Sequence, residues 1–177
     1  MNRKVLWITQ TAVLTALLIV MQAVTASFGN TIVTGSIVNL ILIISVMMAG
    51  LSSGLTVAVI SPICAKLLGI GPLWMLIPFI VVGNIVLVLM WHFLGNRSFA
   101  KPLLVHIVTL IAAAVGKFLT LYVGIVLIAI PHLLSLPAQQ ATTISGMFSI
   151  PQLFTALIGG GVATVLLPLI KNAGKSR

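Results

Sequence analysis

The chain has 177 residues, 60% of them hydrophobic and only 5% charged, with a mean hydropathy of +1.32. A soluble domain carries about 25% charged residues, so water is not the main solvent of this one. Nine Lys and Arg stand against no Asp or Glu. That excludes carboxylate-based hydrolysis and Mg²⁺-dependent phosphotransfer, and the basic excess is expected at membrane helix ends, not on nucleic acid.

Cutting the apolar runs at Gly, Pro and polar clusters predicts six membrane helices, at about residues 5–26, 34–50, 53–71, 74–94, 103–130 and 143–170. They fill the sequence and predict an all-α, integral membrane bundle in a single transmembrane domain. The first run follows Arg3 and Lys4 and has the look of a signal peptide. It is too long for an h-region of 7–15 residues, so it reads as the first helix. On it Ala12 and Ala16 stack one turn apart, with Thr15 and Gln22 read as rotated onto another face. Cys64, the single cysteine, lies in the third run and excludes an internal disulfide.

The basic residues fix an expected orientation. Arg3 and Lys4 precede helix 1, Arg97 and Lys101 separate helices 4 and 5, and Lys171, Lys175 and Arg177 follow helix 6. With six spans all three groups fall on one side, so both termini are expected in the cytoplasm. The uncharged loops at 27–33 and 131–142 and the turn Gly69–Leu73 are then outside.

Lys66 and Lys117 do not fit this rule. A charge inside a span costs about 2.5–3.5 kcal/mol on insertion scales and normally faces a cavity or a partner. Lys66, near the outer end of helix 3, can also reach the headgroups. Lys117, in the middle of helix 5, is too deep for that. Gln22, Asn39, Asn84 and Gln152 fall in the outer half or near the midplane, and with Lys117 they predict a polar cavity open to the outside. Interhelical packing is the competing role for each amide. Helix 6 adds a stripe of Ser145, Ser149, Gln152, Ala156, Gly159 and Ala163, and helix 5 a face of Ala113, Lys117, Thr120 and Gly124. Trp74 and Tyr122 are the aromatic residues placed either to touch a ligand there or to lie in the interfacial aromatic belt. The three histidines, His92, His106 and His132, are spread over both ends and read as interfacial residues, so neither a metal site nor a cofactor is expected.

A binding cavity without Asp, Glu or a His relay has no group for ion coupling. Energy must then come from a partner. The segments TAVLTALL, TGSIVNLILIISVMMAGLSSGLTVAVISPICAKLLGIGP, PFIVVGNIVLVLMW, AAAVGKFLTLY and PQLFTALIGGGVATVLLPLIK span nearly the whole chain. In them the sequence resembles the substrate-binding S components of energy-coupling factor (ECF) transporters, which import vitamins into prokaryotes. The resemblance implies a prokaryotic plasma-membrane subunit with no enzyme activity of its own. Ala12 and Ala16 would dock on a transmembrane coupling subunit driven by two cytoplasmic ATPase subunits. It also implies a ligand held near the outer surface under the segment at about 27–36, and release by toppling of the subunit in the bilayer.

The lack of carboxylates disfavours a cationic vitamin. Lys66 and Lys117 favour a carboxylate, a phosphate or a carbonyl-rich heterocycle, leaving riboflavin, pantothenate, folate and a corrinoid as candidates. A structural subunit of a larger membrane complex and a small channel are the alternatives from other classes.

Overall fold

In a computed structural model the described residues are 3–97 and 102–175, and among them there is no strand. Of the basic residues used to orient the chain, Lys101 and Arg177 lie outside the described residues. The protein is an all-α multi-pass membrane bundle. Among the described residues five helical stretches are long and apolar enough to cross a bilayer.

Helix α1 spans Arg3–Ala26 and ends in a turn in which Gly29 takes a left-handed φ of 64°. Helix α2 (Thr31–Ala49) begins earlier than expected, because the Asn30 side chain accepts hydrogen bonds from the backbone N–H of Ile32 and Val33. Gly50 alone separates α2 from α3 (Leu51–Leu67). The sequence reading had α3 running to residue 71, but the chain leaves the helix at Gly69. Gly69 N–H donates to the Lys66 carbonyl at 3.0 Å and Ile70 N–H to the Ala65 carbonyl at 2.8 Å, the paired bonds of a glycine-terminated helix end. At 17 residues α3 is, among the described residues, the one apolar helix shorter than a full span. A single turn at Trp74–Leu76 leads into α4 (Ile77–Gly95), which carries Pro78 in its first turn.

The second half departs further from the expected helices. Helix α5 (Pro102–Leu121) continues in a looser π-helical winding through Tyr122–Leu133, so Pro131 and His132 are helical and not part of a loop. The expected loop at 131–142 shrinks to 134–137, after which α6 (Ala138–Met147) begins. The single span expected at 143–170 is two helices, α6 and α7 (Ile150–Lys175), divided at Phe148 and Ser149. Pro151 is the reason: it has no N–H for the Met147 carbonyl, and its ring would clash there if the helix continued. The Gln152 side chain replaces the missing donor, with Nε2 at 3.1 Å from that carbonyl.

Helix α2 is central and packs on α1, α3, α4 and α7, while α5 packs on α4 and α7. The main core gathers Leu42, Ile43, Val46, Leu87, Trp91 and Leu167, and a second cluster joins Leu76, Leu121, Ile125 and Phe148. Small residues bring α2 and α7 together. A methyl group placed on Gly159 would overlap the Ser36 carbonyl and stand 2.8 Å from Asn39 Cβ. Lipid offers no hydrophobic drive between helices, so such backbone approach is what holds them. Helix α1 is peripheral, with only 11% of its apolar window buried.

Gly159→Val is therefore expected to destabilise the protein by about 1–3 kcal/mol, as overpacking does. Gly161, whose added methyl would meet nothing within 4 Å, is the control. In detergent, thermal unfolding should fall clearly for Gly159→Val and stay unchanged for Gly161→Ala.

Candidate functional site

A cavity of about 310 Å³ lies at one end of the bundle. Its walls come from the C-terminal parts of α1, α3 and α5 and from the N-terminal parts of α2, α4 and α7. Thr31 and Ile77, the first residues of α2 and α4, line it, as does Gln152 in the first turn of α7. Three helix N-termini, each with partial positive charge, thus face this end. Lys4 at the start of α1 and Arg97 just beyond α4 mark the opposite end.

Lys117 forms the inner wall. Its ammonium donates to Asn39 Oδ1 at 2.6 Å and to Asn84 Oδ1 at 2.7 Å, and the residue is 4% exposed. The amides are themselves oriented. Asn39 Nδ2 donates to Thr155 Oγ1 at 3.2 Å, whose hydroxyl donates to the Gln152 carbonyl at 3.0 Å; Asn84 Nδ2 donates to the Ala58 carbonyl at 3.4 Å. Both amide nitrogens are committed to the scaffold, which turns both oxygens on Lys117. An ammonium has three N–H donors, and two are used here. Its positive charge meets only neutral oxygens, since the chain has no Asp or Glu. At an effective dielectric near 20, an anion 4 Å away would gain about 4 kcal/mol of Coulomb energy.

Among the described residues, two further polar side chains lining the cavity have an atom without a partner. Gln22 Oε1 and Ser61 Oγ are buried without a hydrogen bond, and both residues line the space. A buried acceptor left unmade costs about 1–3 kcal/mol, so each is an open position for a ligand atom.

The structure thus brings Lys117, Asn39, Asn84, Gln152 and Gln22 together around one cavity. It does not bring Lys66. Lys66 follows the cavity-lining Ala65 by one residue, about 100° around the helix, and its half-buried side chain sits in the last turn of α3, where a cation complements the helix end. Ser145, Ser149 and Thr120 also lie outside the lining, and Gly124 packs on Phe79. Trp74 is exposed and Tyr122 rests on Phe118, with ring centroids 5.7 Å apart; the aromatic side chain in the cavity wall is Phe148. His106 is buried against Trp91, ring centroids 5.8 Å apart.

Thr155, Ser61 and Phe148 escaped the sequence reading. Thr155 neighbours Ala156 on the small stripe of α7, and its role shows only once α7 lies on α2. Ser61 precedes Pro62 within an apolar helix, with no charge or polar stripe to single it out.

Ala12 and Ala16 are exposed on α1 and line a separate shallow groove of about 400 Å³ with Thr56 and Ile60 of α3. Thr15 shares that groove and is not turned toward the cavity. Three residues along a helix return to within about 60° of the start, so Thr15 stays beside Ala12.

No family model matches the chain, and no curated protein or solved structure is significantly similar to it.

A double-mutant cycle tests the polar cluster. Asn39→Leu should destabilise the protein by about 1.5–3 kcal/mol when Lys117 is present, the range for hydrogen bonds to charged groups. On a Lys117→Met background most of that loss should disappear. Equal losses on both backgrounds would mean that the two side chains are not coupled.

Proposed function

We propose that this protein is the membrane-embedded substrate-binding subunit of an ATP-driven ECF-type importer. It captures a water-soluble vitamin or related micronutrient at the outer face of a prokaryotic plasma membrane. The observation that carries this reading is the cavity around Lys117, a buried cation with oriented neutral partners, an unused donor and no acid in the chain. Such a group is costly in a span unless a ligand completes it. Cavities built from a few polar groups set among apolar walls are the usual form of small-molecule sites.

Two features support a role within a larger assembly. Helix α1 leaves most of its surface free, and Ala12 and Ala16 present small side chains over a groove, the kind of surface on which another membrane helix packs closely. The groove and the cavity draw on different stretches of α1, residues 7–19 and 22–26, so docking and binding use separate surfaces. The partners in this reading are a transmembrane coupling subunit and two cytoplasmic ATPase subunits. Orientation follows the basic residues: the cavity end is outside, and the end bearing Lys4 and Arg97 is cytoplasmic. A channel fits less well, because the cavity lining comes from one end of each helix.

In a thermal-shift screen of the purified subunit without any ATPase, one water-soluble vitamin should raise the unfolding temperature, and Lys117→Ala should weaken its binding by about 10- to 100-fold. Ala12→Trp should bind normally yet abolish uptake by cells supplied with the partner subunits. A folded protein that no vitamin stabilises would overturn the proposal.

A further inference from the structure

Within that reading, on which this inference rests, we infer that the cavity takes a compact monocarboxylate that also carries an N–H or O–H donor. Charge sets the first part. Lys117 is the one Lys or Arg among the described residues lining the cavity, and Lys66 stays outside it. One buried cation matches one negative charge, and a second carboxylate would find no second cation among the described lining residues. The N-termini of α2, α4 and α7 face the same space and add only partial positive charge, favouring an anion over a cation.

The unpaired atoms set the second part. Gln22 Oε1 only accepts hydrogen bonds, and it is buried with no donor. A ligand that satisfies it brings a donor of its own. Ser61 Oγ, 1% exposed, can accept from the same group or donate to a neighbouring oxygen.

Size sets the third. A volume of about 310 Å³ lies at the lower end of the roughly 300–1,000 Å³ typical of small-molecule sites. A corrinoid macrocycle exceeds it. Folate brings two carboxylates to a single lysine, and riboflavin brings none. Of the four candidates, pantothenate has the required chemistry: one carboxylate, hydroxyl and amide donors, and a compact frame.

The test compares acids with near-isosteric neutral forms on the purified wild-type subunit, by calorimetry at fixed pH and salt. The probes are pantothenate against pantothenol, biotin against biotinamide, and riboflavin and folate as further arms. At least one of the two acids should bind, and its neutral form should bind about 10- to 100-fold more weakly. Lys117→Met should erase that preference, and Gln22→Leu should weaken the acid without altering folding. Because the acid and neutral forms are compared on the unaltered protein, the test survives failure of Lys117→Met to fold. Tight binding of riboflavin or folate in place of both acids would overturn the monocarboxylate assignment and leave the binding-subunit reading standing. Binding of none of these probes would overturn the monocarboxylate assignment, and only a silent screen of all vitamins would remove the reading beneath it.

Discussion

The ammonium of Lys117, buried between Asn39 and Asn84, is the group to which the surrounding architecture answers. A charge in the middle of a membrane helix is tolerated when it is solvated by something other than water. Here two amide oxygens at 2.6 and 2.7 Å supply part of that solvation, and each amide is held by a second hydrogen bond to the scaffold. Because Asn39 lies on α2, Ala58 on α3, Asn84 on α4, Lys117 on α5 and Thr155 on α7, one small network ties together five helices. The close approach at Gly159 is part of the same arrangement, since it sets α7 against α2 beside Asn39.

That network leaves something over. Both amides are neutral and the sequence has no acid, so the positive charge is shared but not cancelled. The walls add helix N-termini, and the cavity holds a free acceptor on Gln22. An apolar bundle that kept these groups only for packing would fill the space; this one keeps it open at one end. The exposed face of α1 is a second unfilled surface, distinct in chemistry, lined by small, apolar and threonine side chains with no amide or charged group. In the proposed function the polar cavity would hold the ligand and the separate face of α1 the partner.

Much of this was legible in the sequence, for identifiable reasons. Helices in lipid must satisfy their own backbone, so apolar length alone located most spans. Lys117, Asn39, Asn84, Gln22 and Gln152 stood out because polar groups are expensive in that setting. What the sequence concealed depends on rotation and on local breaks. Lys66 and Ala65 differ by one position, and only the seated helix decides which of them faces inward. Pro151 was read as part of a continuous span, although a proline early in a helix also marks a new start; the division it causes moves Phe148 into the cavity wall. Thr155 acquires its role from a partner 116 residues away, a pairing that no local pattern announces.

The most direct measurement is an experimental structure of the purified protein with the ligand that most raises its unfolding temperature. The account predicts the ligand's acidic group within hydrogen-bond distance of Lys117 Nζ, taking up its remaining donor while Asn39 and Asn84 stay in place. A ligand bound elsewhere on the protein, with Lys117 still held by the two amides alone, would contradict it.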